Sequence, residues 1–313
     1  MNMVPEKLRA LLVCPTCHEG AVEASTAGCT CIACRTNYAI SDGRPIMIRP
    51  DNCVFQPSSY LAVNDAGMPR RTAARYVPQP SVNLSVDPMI DRLAKMLDCS
   101  ARVLVVGAGT QRSWLGPRLG DTRTIVYCDI DVAATVDLFC DAHDLPFGDA
   151  SFDAVITTAV LEHVLYPERA AQEISRVVRP GGLLYSELPF MQQVHEGAYD
   201  FTRYTLSGHR RLFNGFDPIE VGMVAGPATS LVWAIENFLV AFPSSLRARQ
   251  VARAASRVAF GWIKYLDHLL KDKPQAMDGA SCTYILGRRR MLDLVPDHAI
   301  IDGYVGGRAL RHS

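Results

Sequence analysis

Three groups of residues in this 313-residue chain have types and spacings that could do chemistry. The first is a pair of CxxC turns, Cys14-Pro-Thr-Cys17 and Cys31-Ile-Ala-Cys34. Each turn aims two sulfurs at one point, and two turns supply the four soft ligands of a tetrahedral zinc ion. Cys29 is an alternative to Cys31. Four protein sulfurs leave no position for water, so such a zinc is structural. The second group is Gly107-Ala108-Gly109, directly after the apolar run Arg102–Val106, followed by Asp129. Glycines there let the backbone approach a ligand and turn into a helix whose N-terminus faces it. An acid about twenty residues later is placed to hydrogen-bond ribose hydroxyls, with Asp131 as the competing choice. The third is QQVHEGAYDFTRYT, residues 192–205, which follows the strand-like run LLYSELPF. Here His195 is the natural base for a hydroxyl. Arg203 is able to grip a carboxylate or phosphate bidentately, or to pair internally with Asp200.

The elements that must position these groups follow from the hydrophobic pattern. Continuous apolar runs predict buried parallel strands at 102–106, 124–128, 136–140, 151–157 and 183–188. Two further strands are expected at 216–224 and 282–287, and short helices at 89–97 and 168–178. Ligands of such sheets bind beyond the carboxyl ends of the strands. The fourth strand delivers Thr157, Thr158, Glu162 and His163 to that edge. Only six residues separate Asp129 from Val136. A parallel crossover normally needs a dozen or more, so the helix expected there is shortened or missing. Between the last two strands about fifty residues replace a short hairpin. Within them, 246–271 reads as one amphipathic helix. Val251, Ala255, Val258, Trp262, Leu266 and Leu269 line one face, and Arg249, Arg253 and Arg257 another.

Acids and bases balance at 32 each, which excludes a global field drawing the chain to nucleic acid or anionic membrane. The N-terminus has no convincing signal-peptide pattern, and no uncharged apolar run approaches the ~18 residues needed to span a bilayer. A cytoplasmic location is expected. In a reducing compartment, cysteines crowded at short spacings near the N-terminus read as metal ligands rather than disulfides.

Two resemblances sharpen these readings. Leu11 to Ile48, with both CxxC pairs and Tyr38-Ala-Ile-Ser-Asp-Gly-Arg-Pro-Ile-Met-Ile48, resembles the small zinc-ribbon family that includes the activator of tRNA and protein methyltransferases. Ala39 stands where proline is usual there, and Arg44 where isoleucine is. Val103 to Pro189 resembles the class I S-adenosylmethionine-dependent methyltransferases, in the branch of the ubiquinone and menaquinone enzymes. DAHDLPFGDASFDAV, VLEHV and RVVRPGG carry that likeness. It implies that Gly107, Ala108 and Gly109 approach the methionine part of the cofactor and that Asp129 holds the ribose. Asp141 then accepts the adenine amino proton, with Ala142 and His143 beside the ring and Thr158 on the cofactor edge. His163 belongs to the shared VLEHV pattern, with a cofactor-side or a catalytic role. HxxxxDxxRxT, residues 195–205, resembles a trait of surface-glycan and secondary-metabolite methyltransferases.

The expected architecture is therefore α/β. It comprises a zinc ribbon over 1–49, a linker arm over 50–88 and a doubly wound, mostly parallel seven-stranded Rossmann-like methyltransferase sheet over 89–290. A helical insertion spans about 227–278 and a tail 291–313. The expected reaction is methylation, on oxygen, of a small molecule or a glycan or lipid-linked intermediate, with His195, His163, Asp200 and Arg203 at the acceptor. The rival readings are an RNA base methyltransferase and a non-catalytic scaffold or activator partner. For 246–271 the readings are a cap over the acceptor pocket, a homodimer surface or a peripheral membrane contact.

Overall fold

The computed structural model describes residues 4–25, 28–62, 79–291 and 294–307. Residues 63–78 of the expected linker and 308–313 of the expected tail lie outside the described residues, as do 1–3, 26–27 and 292–293. After a short helix α1 (Glu6–Arg9), strands β1 (Val22–Ala24), β2 (Cys29–Cys31) and β3 (Asn37–Tyr38) form a small antiparallel sheet. β4 (Ile40–Ser41) and β5 (Arg44–Met47) follow as a tight hairpin, then α2 (Pro57–Ala62) and α3 (Val86–Met96).

The seven expected strands are present in one sheet: β6 (Arg102–Val106), β7 (Thr124–Asp129), β8 (Leu138–Cys140), β9 (Phe152–Thr158), β10 (Val178–Pro189), β11 (Phe216–Ala225) and β12 (Cys282–Arg289). Helix α4 (Arg112–Leu119) joins β6 to β7, and α5 (Pro167–Val177) joins β9 to β10. The order is β11-β12-β10-β9-β6-β7-β8-β5-β4. β6 to β10 run parallel, and β12 pairs antiparallel with both β10 and β11. Both faces of the sheet are covered. Leu104, Val106 and Leu184 pack on the α5 face, while Val103, Val105 and Leu183 pack against α3 and α4. This period-2 division of wholly apolar strands is why they read as continuous hydrophobic runs.

No helix joins β7 to β8, as the short spacing requires. The edge this leaves open is taken by the N-terminal segment. Ile46 pairs with Phe139 and Met47 with Cys140, in parallel. Two strands thus extend the expected seven, while β1 to β3, next to the cysteines, remain a separate sheet just before them in the chain.

Helix α6 (Leu206–Leu212) starts at Thr205, whose hydroxyl accepts the Gly208 amide. The insertion holds α7 (Pro227–Val240), α8 (Leu246–Phe260), a 3-10 turn (Gly261–Leu266), α9 (Asp267–Leu270) and α10 (Pro274–Met277). α11 (Asp297–Asp302) follows β12. The expected single helix over 246–271 is therefore broken at Gly261. The break lets Asp267, fully buried, reach back to α7. Its carboxylate accepts the amides of Gly226, Ala228 and Thr229 at 3.0, 2.8 and 3.0 Å, satisfying donors a helix start leaves orphaned.

The orientation of α8 also differs from a cap. All six residues of the apolar face expected for 246–271 are exposed, Val258 of α8 at 74% and Leu269 of α9 at 72% among them. The side turned inward carries Ser256, Arg253 and Arg257, and the two arginines close on buried Glu236 of α7 at 3.1 and 2.6 Å. A buried carboxylate needs paired donors, and meeting that need turns the apolar stripe outward.

Candidate functional site

A cavity of about 850 Å³ opens at the carboxyl ends of β6 to β9. Gly107, Asp129, Asp141, Ala142, His143 and His163 line it. Gly107 adopts φ +68°, and a Cβ there would meet Val160 Cγ2 at 2.2 Å. Conformation and close approach both demand glycine. Gly109, at φ +48°, donates its amide to Asp129 Oδ2 at 2.7 Å, and Asp131 donates its amide to Oδ1 at 2.8 Å. Burial raises the Asp129 carboxyl above its ordinary range in spite of those amides. Asp131, also on the cavity wall, turns its own carboxylate to the Ala133 amide.

Asp141 sits among partners. Oδ1 accepts from the amide and Nδ1 of His143 at 2.9 and 2.6 Å, and Oδ2 accepts from Asn52 Nδ2 at 2.8 Å. Burial works to raise its pKa, but the His143 and Asn52 contacts hold it below its usual value. His143 Nε2 accepts the Tyr166 amide at 3.1 Å, so its tautomer carries the proton on Nδ1. That imidazole ties the turn after β8 to the start of α5.

Ala108, Gly109 and Thr158 do not line the cavity. Ala108 is buried behind it. The Thr158 hydroxyl accepts from Gln111 Nε2 at 2.7 Å, which ties the start of α4 to β9. Thr158 therefore positions the glycine turn and is not part of the cavity lining.

On the acceptor side, His163 Nδ1 lies 2.8 Å from the Tyr199 carbonyl, and His163 Nε2 lies 3.1 Å from His195 Nε2. Burial lowers the His163 pKa. Glu162 is fully buried, with Oε1 3.5 Å from His163 Nε2 and neither oxygen hydrogen-bonded. Burial pushes its carboxyl up to about 8. Trp233 of α7 has its ring centred 6.3 Å from the His195 ring and donates Nε1–H to Ser81 at 2.9 Å, so α7, and not α8, reaches this loop.

Arg203 differs from the outward grip considered above. Its Nε donates to Gln192 O at 2.8 Å, its Nη2 to Gln193 O at 3.1 Å, and both Nη groups bind the Asp200 carboxylate. Asp200 also accepts the His195 amide at 2.8 Å. Burial works to raise the Asp200 carboxyl, but Arg203 and that amide hold it well below the usual carboxylate range. With its donors committed internally, Arg203 shapes the loop that presents His195.

The cysteines form a separate cluster on the α5 side of the sheet. Cys14 Sγ is 3.6 Å from Cys34 Sγ, and Cys17 Sγ is 3.6 Å from Cys31 Sγ. All four sulfurs lie within 4.8 Å of one another. Sulfurs of a tetrahedral ion bound at ~2.3 Å stand about 3.8 Å apart, so these residues fit zinc. Cys31 joins the group and Cys29 does not. A Cβ on Gly20 would meet Cys31 Sγ at 2.3 Å, which explains the glycine beside it.

Asn52, Phe55 and Tyr60 also wall the cavity, though sequence reasoning placed no site residue among them. Tyr60 donates its hydroxyl to Ile130 O at 2.5 Å. The only signal for them was the short crossover, which leaves the adenosine side unwalled. A second hollow of about 700 Å³, beside Arg210, Asp278 and Tyr304, contains none of the expected site residues.

Residues 104–186 match the family model described as a methyltransferase domain. Over 46 residues the chain is 50% identical to the O-methyltransferase cnsE of Penicillium expansum, covering 15% of this chain and 17% of that protein. It is 39% identical over 67 residues to the ubiquinone/menaquinone biosynthesis C-methyltransferase UbiE of Ralstonia pickettii, 21% of this chain and 28% of that one. The match to the UbiE of Neisseria meningitidis is 39% over 123 residues, 34% and 50% of the two chains. The chain thus spans half or less of the length of these relatives. Among solved structures, a phosphoethanolamine N-methyltransferase of Haemonchus contortus overlays with a TM-score of 0.42 and 15% identity, covering 66% of this chain and 52% of that one.

Proposed function

We propose that this domain binds S-adenosylmethionine in the 850 Å³ cavity and methylates an oxygen of a small-molecule or glycan acceptor. The observation that carries the reading is the strand-end constellation. The side-chain-free Gly107 and the carboxylate of Asp129, held by the Gly109 and Asp131 amides, face one concave space beyond the sheet's carboxyl edge. Asp129 receives the ribose hydroxyls. Asp141, already oriented by His143 and Asn52, receives the adenine amino group. Methyl transfer is an in-line displacement. A lone pair of the acceptor oxygen forms the new bond to the methyl carbon, and the carbon–sulfur bond breaks with its electrons going to sulfur. The products are a methyl ether, S-adenosylhomocysteine and one proton. The cofactor supplies the activation, so the protein's part is alignment and proton removal. His163 lines the cavity and His195 Nε2 lies 3.1 Å from its Nε2, so the acceptor hydroxyl is assigned to this side, with His195 taking the proton. Asp200 and Arg203 hold His195 in place.

We further assign a structural zinc to Cys14, Cys17, Cys31 and Cys34, and a cytoplasmic location. No helix among the described residues is long and apolar enough to cross a membrane. The outward apolar stripe of α8 supports the peripheral membrane contact over the buried cap, and vesicle co-sedimentation tests it. The main reading is tested by calorimetric titration of the purified protein with S-adenosylmethionine and S-adenosylhomocysteine, followed by an acceptor screen of phenols and glycans. Micromolar binding that Asp129→Ala abolishes supports it. Absence of binding removes the cofactor assignment.

A further inference from the structure

Glu162, His163 and His195 bring their ligand atoms within 4.8 Å of one another, and His163 lines the cavity that also holds Gly107 and Asp129. Three features of this cluster are unusual for side chains that merely pack. Glu162 is completely buried, and both its oxygens lack a hydrogen-bond partner. Buried carboxylates are normally satisfied or paired. The nearby Arg203 is committed to Asp200 and to main-chain carbonyls.

His163 turns its Nδ1 to Tyr199 O at 2.8 Å, and His195 turns its Nδ1 to Gln193 O at 3.3 Å and Asp200 Oδ2 at 3.4 Å, with Arg203 Nη2 at 3.5 Å beside it. Metal-bound histidines are oriented in this way, by a carbonyl or carboxylate on the far ring nitrogen. The two Nε2 atoms face each other at 3.1 Å, a separation that a shared proton or a metal ion lying before both of them accounts for. Two nitrogens bound at ~2.1 Å to one ion stand about 3.0 Å apart in octahedral geometry and about 3.4 Å in tetrahedral geometry, and the observed separation falls between. The widest pair on one such ion is about 4.2 Å apart, so a small rotation of the Glu162 side chain completes the set.

We infer that Glu162, His163 and His195 form a divalent transition-metal site that holds the acceptor oxygen beside the cofactor. Two imidazoles and one carboxylate favour zinc, manganese, iron or cobalt over magnesium and calcium. Three protein ligands leave open positions for a substrate hydroxyl. A hydroxyl on the ion loses its proton to solvent more readily, and the resulting alkoxide or phenoxide attacks the methyl carbon. His195 is then a ligand in place of a base. The inference rests on the methyltransferase reading for what the ion does, and on this chain's own geometry for its presence.

The test uses full-length protein with zinc loaded on the cysteines, titrated with Co2+ by calorimetry and visible absorption. Wild type should bind one further equivalent without the intense thiolate bands that exchange into the cysteine site would produce. Glu162→Gln and His195→Ala should weaken that binding at least tenfold while the cysteine-bound zinc is retained. Glu162→Gln has nearly the same shape as the native residue, so it decides the matter if the histidine variant misfolds. No further equivalent up to millimolar Co2+, or variants that bind as wild type does, overturns the site. S-adenosylmethionine affinity, measured on the same samples without cobalt, reports separately on the cofactor reading.

Discussion

Replacing Gly107 with alanine tests the close packing under the cofactor cavity. The cost has two parts. A Cβ at φ +68° meets the ordinary left-handed penalty of about 1–2 kcal/mol. The new methyl would also stand 2.2 Å from Val160 Cγ2, 3.0 Å from Cγ1 and 3.2 Å from Cβ. Carbon atoms rest at about 3.5–4.0 Å, so Val160 must move by more than 1 Å, and forced overpacking costs ~1–3 kcal/mol. The expected loss is about 2–5 kcal/mol in urea unfolding. Val160 lines the cavity, so S-adenosylmethionine affinity should fall as well. The two parts separate in a double-mutant cycle. Val160→Ala removes the two clashing methyl groups, and in the Gly107→Ala background it should recover the ~1–3 kcal/mol of overlap and leave the backbone part. Gly107→Ala within ~0.5 kcal/mol of wild type, or a cycle showing no coupling, would refute the reasoning.

Asp141→Ala should weaken S-adenosylmethionine binding tenfold or more, as for the loss of a ~1.5–3 kcal/mol charged hydrogen bond, and unchanged affinity by calorimetry removes the adenine assignment. His209, fully buried between Ser186 at 2.9 Å and Thr283 at 3.3 Å, has its pKa pushed down to about 3 by burial. The unfolded chain therefore binds the extra proton first, and the stability of wild type relative to His209→Gln should fall as pH drops from about 6.5 towards 3; a difference flat across that window refutes the assignment. Asp267→Ala strips three buried amides of their acceptor, so it should destabilise by several kcal/mol, about 1–3 for each orphaned donor, and a loss under ~1 kcal/mol in urea unfolding would count against the cap. Chelating the zinc, or making Cys17→Ser, should lower S-adenosylmethionine affinity as well as stability; affinity that survives zinc loss separates the cysteine region from the cavity.

The sheet was legible because each central strand is apolar on both sides; the glycine turn alone was a weaker signal, since a plain tight strand-to-helix turn uses the same residues. The cysteine set was legible because CxxC spacing constrains sulfur direction on its own. What escaped the sequence depends on partners distant in the chain. Arg203 next to Asp200 offers two equal readings until the carbonyls of Gln192 and Gln193 are seen to take its remaining donors. The outward turn of α8 is set by one buried acid, Glu236, on another helix. An amphipathic pattern identifies two faces but does not say which one packs when the polar face carries a pair of arginines for a buried carboxylate. Asn52 and Tyr60 sit in a stretch whose composition reads as linker, and only their contacts with Asp141 and Ile130 make them part of the site.

The short β7–β8 crossover connects these observations. Losing the helix after Asp129 exposes the far edge of β8 and the outer wall of the cavity together. The N-terminal segment repairs both. β5 hydrogen-bonds to β8, and the chain leaving β5 brings Asn52 onto Asp141 and Tyr60 over Ile130. That segment is short and has little core of its own. The turns before β5 are fixed by the cysteine cluster, where Tyr38 of β3 places its hydroxyl 3.1 Å from Cys14 Sγ and 2.7 Å from Thr16 Oγ1. Metal-dependent order in such small units is folding free energy. A metal held by the four cysteines would therefore act on the cavity through one strand pair and two side-chain hydrogen bonds, without any of its ligands touching the cavity. β5 and the chain that follows it thus occupy the place of the missing crossover helix, which gives a physical reason for the N-terminal segment and the main sheet to share one chain.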